Sequence, residues 1–183
     1  LADAVNNENI AVRTVVKGDI NEDGNFVYTV GDAKEIDLPN DAKISLAAGS
    51  DLYRMHEKIK ANDNALLEKT NWFTLEDLYF EKGSDKLKAS SEKTLKNLYE
   101  MVNCYNLNIK LGGYTDNSGD SLQNVKLSAQ RAEAAKAALV KMGLAADRIE
   151  AEGYGPMHPK CDADLSMACM AQNRRIDVRI TKK

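Results

Sequence analysis

The chain has no run approaching the ~18 consecutive apolar residues that a membrane-crossing helix needs. Its N-terminus lacks the Lys- or Arg-led apolar stretch of a secretory signal, and because it begins at Leu1 rather than Met, an anchor or lipid-attachment cysteine ahead of this fragment is not excluded. Basic residues are not in surplus: 25 Lys and Arg face 28 Asp and Glu, for a net charge of -3. Nothing is left over to neutralise a phosphate backbone, so nucleic acid is set aside as a partner. Histidine is confined to His56 and His158, far apart in sequence, and there is no G-x-S-x-G, H-E-x-x-H or Walker loop. A nucleophile with its base, or a metal with its water, has no framework here, and Cys161 with His158 would sit in a polar stretch that makes a poor platform for a rigid site. The sequence therefore argues against an enzyme and implies no cofactor.

Cysteine is sparse and odd in number, at three. Cys161 and Cys169 bracket CDADLSMAC, a spacing suited to closing a small loop by a disulfide in an oxidising compartment. A metal site with Asp162, Asp164 and His158 competes with that reading, although neither cysteine belongs to a C-x-x-C pair. Cys104 ends an amphipathic pattern and reads as a buried thiol.

What is present suffices for a core: 43% of the 183 residues are hydrophobic, enough for one ordinary domain or two small ones. A polar stretch over 61–70 divides two regions. In residues 1–70, short alternating segments at 10–16, 26–30, 34–38 and 43–46 predict strands, punctuated by turn residues. A helix follows over 51–61, with Leu52, Met55 and Ile59 on one face and a lone His56 without an evident partner. This is a small β-rich module that by size leans on the rest of the chain. Within it, Asp19, Asn21, Asp23 and Gly24 copy the first half of a calcium-binding EF-hand loop, but Val30 occupies the position of the bidentate carboxylate. Asp-Gly and Asn are sufficient for a plain hairpin turn there.

Residues 71–183 alternate β-α-β-α-β-β, an α+β arrangement with helices on one face of a sheet. Residues 72–80 are strand-like, and Ser90 or Ser91 can cap a helix carrying Leu95, Leu98, Val102 and Tyr105. A strand over 107–113 leads to a long helix reaching Met142 and closed by Gly143. Strands over 148–154 and around Ile176, Val178 and Ile180 complete the set.

The informative segment is LGGYTDNSGDSLQNVKLSAQR, Leu111 to Arg131. Asp116 lies just past a strand, Asn117, Ser118 and Gly119 supply a turn, and Asp120 with Gln123 marks a helix start. Helical periodicity puts Leu122, Val125, Ala129, Ala132, Ala135, Leu139 and Met142 on the buried stripe. Asn124, Leu127, Ser128 and Arg131 fall on a neighbouring stripe beside the turn. By spacing alone this is a turn carboxylate and a helix guanidinium, which reads first as a common surface ion pair and second as a clasp for a small zwitterion.

The order G-Y-T-D (Gly113 to Asp116), N-x-x-L-S-x-x-R-A (Asn124 to Ala132), G-Y-G (Gly153 to Gly155) and N-R-R-I-D (Asn173 to Asp177) resembles the OmpA-like peptidoglycan-binding domains. These occur in outer-membrane protein A tails, peptidoglycan-associated lipoproteins and the stator protein MotB. The resemblance covers roughly residues 71–183, starting from LYFEKGSDKL. It implies an OmpA-like sheet, with Asp116 and Arg131 gripping the free ammonium and carboxylate of diaminopimelate in the wall peptide. Thr115, Asn124, Leu127, Ser128 and Arg174 match further pocket positions. The implied role is to anchor the outer envelope to the cell wall from the periplasm, tethered to the outer membrane by an anchor outside this fragment. An envelope subunit that keeps the fold without binding wall is the alternative. The resemblance adds weight to the Cys161 and Cys169 disulfide, because some members carry one in this loop. The chain departs from the pattern at Tyr114, where many members have His, and in the cysteine-bearing segment before Asn173, where many have Gly-Arg-Ala.

Overall fold

The structure, a computed structural model, describes residues 17–161 and 166–183. The strand expected over 10–16, and Asp162 and Asp164, lie outside these residues.

Two antiparallel hairpins come first: β1 (Gly18–Ile20) with β2 (Phe26–Tyr28), and β3 (Ala33–Asp37) with β4 (Lys43–Ala47). In the β1–β2 turn, Asn21 Oδ1 accepts from the backbone N–H groups of Asp23 and Asn25, both at 3.0 Å, and Gly24 takes a φ of 79°. The Asn side chain thus closes the turn, as its chemistry suggests. Helix α1 (Asp51–Lys60) is capped by the Ser50 hydroxyl, which accepts from the Tyr53 N–H at 3.2 Å. It buries Leu52, Met55 and His56, whose Nε2 lies 3.2 Å from the Tyr105 hydroxyl.

The main sheet has four strands in the order β5-β8-β6-β7. These are β5 (Phe73–Thr74), β6 (Asn108–Tyr114), β7 (Ile149–Gly155) and β8 (Arg175–Lys182). Helix α2 (Glu92–Cys104) leads from β5 into β6, and α3 (Ser121–Met142) joins the parallel pair β6 and β7. β8 runs antiparallel to both β5 and β6. Strand alternation separates the two faces of β6. Ile109 and Leu111 join the core with Leu95, Leu98 and Leu139. On the other face, the Tyr114 ring stacks on Tyr154 at 5.2 Å and the Arg175 guanidinium covers it at 4.0 Å.

Helix α3 rests on the backbone of its strands. A Cβ on Gly113 would lie 2.1 Å from the Ser128 carbonyl oxygen, and one on Gly153 would lie 2.3 Å from the Ala129 nitrogen. The buried stripe of α3 is accordingly small: Ser128, Ala132 and Ala135, then Leu139. This corrects the periodic assignment at two positions, because Leu122 is 81% exposed and Ser128 is fully buried. Ser128 is satisfied in place, its hydroxyl donating to Val125 O at 2.8 Å and accepting from the Gly155 N–H at 2.9 Å.

Three further elements differ from expectation. Only Phe73–Thr74 of segment 72–80 joins the sheet; Leu75 and Leu78 are both buried at turn spacing, and Leu78 N–H donates to Leu75 O at 3.3 Å. Phe80 returns as an isolated bridge to Leu87. Ser91 stands at the start of α2, but its hydroxyl accepts from Tyr79 N–H at 2.8 Å and donates to Tyr79 O at 2.9 Å, so it ties down the preceding loop instead of capping the helix. The segment before Asn173, read from sequence as a polar loop, contains helix α4 (Met167–Asn173), capped by Ser166, which accepts from the Cys169 N–H at 3.1 Å.

One core spans both regions. Leu38, Ile44, Leu46, Leu52, Met55 and Leu66 pack in the same cluster as Phe73, Leu98, Ile109 and Val178. Each such side chain contributes ~1.5–3 kcal/mol on burial, and short two-stranded hairpins are marginal alone, so the N-terminal elements depend on this shared core. Cys104 keeps a free thiol and is half-buried.

Candidate functional site

The C-terminal end of β6, the first turns of α3 and the residue preceding β8 converge on Asp116. Asp116 is buried, with its side chain 11% exposed. Its Oδ1 accepts from the Ser118 N–H at 2.8 Å and from the Ser118 hydroxyl, and its Oδ2 accepts from Arg174 Nη1 at 2.6 Å. Thr115 fixes the turn, its N–H donating to Gly155 O at 2.8 Å and its hydroxyl to Asp116 O at 2.9 Å. Asp120 caps α3 by accepting from the Gln123 N–H at 2.9 Å, and Asn124 Nδ2 donates to Ser118 O at 2.7 Å. Turn and helix are thereby locked to one another.

Arg131 is two helical turns beyond Asn124, on the same side of α3. Its Nε donates to Ser84 O at 2.9 Å and its guanidinium lies 5.1 Å from the centre of the Phe80 ring. Among the described residues its two terminal nitrogens have no hydrogen-bond or ion-pair partner. A fork anchored at Nε, with both terminal nitrogens unspent, is arranged to take a carboxylate at two points.

The electrostatics follow from this packing. Burial works to raise the Asp116 carboxyl, but the Ser118 hydrogen bonds and the Arg174 guanidinium outweigh it and hold the group below its ordinary value. Burial lowers the Arg131 guanidinium, and the nearby Arg174 charge lowers it further, against the pull of Asp116 and Asp85. Charges of both signs therefore meet at the site, Arg131 and Arg174 beside Asp116 and Asp85.

Of the residues singled out in the sequence, Thr115, Asp116, Asn124 and Arg174 are joined by hydrogen bonds to the same turn or its carboxylate. Arg131 faces that turn without a direct pair to Asp116, each group being held by another partner. Leu127 is half-buried on α3. Ser128 holds β7 to α3 from within the packed interior. Ser118, Ser84, Phe80 and Gly24 were not among the expected site residues. Ser118 follows Asp116 at Asx-turn spacing, which was a usable signal. Gly24, whose carbonyl accepts from Arg174 Nη2 at 2.8 Å, carries no local signal.

The N-R-R-I-D segment organises the neighbouring loop. Asn173 Oδ1 accepts from the N–H groups of Lys160 at 2.8 Å and Cys161 at 3.0 Å, and its Nδ2 donates to Cys161 O at 2.7 Å. Arg175 Nε pairs with Asp177 at 3.0 Å. The Cys161–Cys169 disulfide joins this loop to α4, with a Cα–Cα distance of 5.2 Å, so neither sulfur is available as a thiolate ligand.

The OmpA family model matches residues 79–168, the stretch that contains Asp116, Asn124 and Arg131. This part of the chain is similar to the OmpA family. Outer membrane protein P5 of Haemophilus influenzae is 34% identical over 113 residues, covering 57% of this chain and 32% of its own length. The probable lipoprotein YiaD of Escherichia coli is 31% identical over 123 residues, covering 67% of this chain and 53% of the relative. The chain thus spans about a third to a half of the length of these relatives. Among solved structures, the peptidoglycan-associated lipoprotein of Burkholderia pseudomallei matches with a TM-score of 0.53 and 29% identity, over 56% of this chain and 87% of that one. The cell wall anchor of the type VI secretion system from Pseudomonas aeruginosa matches with a TM-score of 0.56 over 72% of this chain and 97% of that one; at 22% identity it supports the fold alone. Among the described residues no helix is long and apolar enough to cross a membrane.

Proposed function

We propose that the chain binds peptidoglycan non-covalently through the free end of diaminopimelate in the wall peptide, with Arg131 taking the carboxylate and Asp116 the ammonium. The observation that carries this reading is the Arg131 guanidinium, fixed at Nε by Ser84 O and backed by Phe80, with both terminal nitrogens unspent beside a buried carboxylate. Asn124 and the Leu127 backbone orient the head group, Thr115 and Ser128 hold the turn and helix that frame it, and Arg174 adds positive potential. The names of relatives and solved neighbours, which include outer membrane proteins, lipoproteins and a peptidoglycan-associated lipoprotein, support a periplasmic setting and a wall-anchoring role at the outer membrane.

Calorimetry with a diaminopimelate-containing tripeptide tests the assignment. Removing either charge leaves its ligand partner desolvated and unpaired, so Asp116→Ala and Arg131→Ala should each cost ~2–5 kcal/mol, about thirtyfold or more in affinity. Arg131→Lys should not rescue binding, since an ammonium cannot reproduce the planar two-point grip. Circular dichroism checks that the variants fold. Wild-type affinity in either alanine variant would remove that residue from the mechanism.

A further inference from the structure

Arg174 spans two parts of the molecule. Its Nη1 pairs with the Asp116 carboxylate at 2.6 Å, and its Nη2 donates to the carbonyl of Gly24, in the β1–β2 turn, at 2.8 Å. The hairpin that carries Gly24 lies outside the matched family segment. Its strands are three residues each, too short to be stable alone. It is held to the body at a few points. Asp23 pairs with Lys88 at 2.8 Å, the Tyr79 hydroxyl donates to Phe26 O at 3.0 Å, and the Phe26 ring is buried. Asn25, Phe26, Thr74, Tyr79 and Arg174 line a shallow cleft beneath it.

We propose that the β1–β2 hairpin is a displaceable strap on the wall-peptide site, latched through Arg174. The inference rests on Asp116 being where the ligand's ammonium docks. In the ligand-free protein that carboxylate is already occupied by a guanidinium, and an incoming ammonium competes for the same oxygen. When it takes Oδ2, Arg174 loses the charge-assisted partner that fixes its orientation toward Gly24, and the hairpin loses one of its anchors. Binding and strap release are then linked, and linkage is reciprocal: whatever loosens the strap tightens binding. The Asp23–Lys88 pair is the lever that tests this, because it holds the strap without touching Asp116 or Arg131. Asp23 is 65% exposed, so cutting the pair has the effect of a surface ion pair, about two- to fivefold in an equilibrium.

The experiment uses the full chain and follows amide hydrogen exchange across residues 18–28, alongside calorimetry with the diaminopimelate tripeptide. Saturating tripeptide should speed exchange in the hairpin, and Asp23→Ala should bind the tripeptide about two- to fivefold more tightly than wild type. In the absence of any ligand, Asp116→Asn should also speed hairpin exchange, because Arg174 has lost its anionic partner. Hairpin amides that become more protected with tripeptide, or an Asp23→Ala affinity that is unchanged or weaker, would make the hairpin a fixed wall and overturn the proposal. Unchanged exchange in ligand-free Asp116→Asn overturns the coupling whatever the tripeptide does. If wild type fails to bind tripeptide while Asp116→Asn still loosens the hairpin, the latch stands and the wall-peptide assignment falls.

Discussion

Replacing Gly113 with alanine puts a methyl carbon 2.1 Å from the Ser128 carbonyl oxygen and 2.8 Å from the carbonyl carbon. Carbon at rest against such atoms keeps about 3.5 Å, so α3 must withdraw from β6 by about 1 Å. Over-packing of this kind costs ~1–3 kcal/mol, and because the clash is with backbone no rotamer change relieves it. The upper end, about 3 kcal/mol, is expected, equivalent to a fall in melting temperature of about 6–12 °C for a chain of this size. The displacement also reaches the site: Gly113 precedes Asp116 by three residues and Ser128 precedes Arg131 by three. Carboxylate and guanidinium then separate by more than the ~0.5 Å that a preorganised site tolerates, and tripeptide affinity should drop about tenfold. Thermal denaturation and calorimetry on the same preparation read both effects. A variant with wild-type melting temperature and affinity would refute the direct backbone contact between β6 and α3, and with it the account of why the helix carries small residues there.

Thiol titration of denatured, unreduced protein should find one reactive group, Cys104, and the double variant Cys161→Ser/Cys169→Ser should lose about 2–3 kcal/mol by releasing an eight-residue closure. Three titratable thiols would contradict the disulfide. Burial pushes the Glu76 carboxyl from 4.5 up to about 8; the Asp51 N–H that it accepts from opposes the shift, and the Asp51 charge adds to it. The folded chain therefore keeps a proton that the unfolded chain releases above pH ~4.5, so this contribution is complete at low pH and is lost as pH rises through about 8. Glu76→Gln should flatten the decline in melting temperature between about pH 5 and about pH 9; equal slopes in wild type and variant would show that Glu76 titrates normally.

What was legible in the sequence was local. Asp120 as a cap, Gly143 as a helix stop with φ 121°, and the Asp-Gly hairpin turn all depend on residues within a few positions of each other. So did the order of strands and helices from 107 to 155, written in periodicity. The burial of Ser128 escaped, because it depends on glycines in two other strands letting the helix come close. Helix α4 escaped because its seven residues are too few for a periodic signal and its start is masked by polar composition. The site was half legible: motif order singled out Asp116 and Arg131, whereas the pairing of Asp116 with Arg174, and of Arg174 with Gly24, joins residues far apart in sequence and becomes visible only in three dimensions.

The strand order has a consequence for biosynthesis. β8 comes after every other strand in sequence yet lies between β5 and β6, where Phe73 meets Val178 and Asn108 meets Lys182. While the chain emerges from a ribosome or a secretion pore, β5 and the open side of β6 wait with unpaired amides and carbonyls, exposed to proteases and to one another. Closure of the sheet is therefore a late, all-or-none event, slowed by the long loops it must join. A chain that stops short of residue 175 lacks the strand that joins β5 to β6 and leaves both edges unpaired.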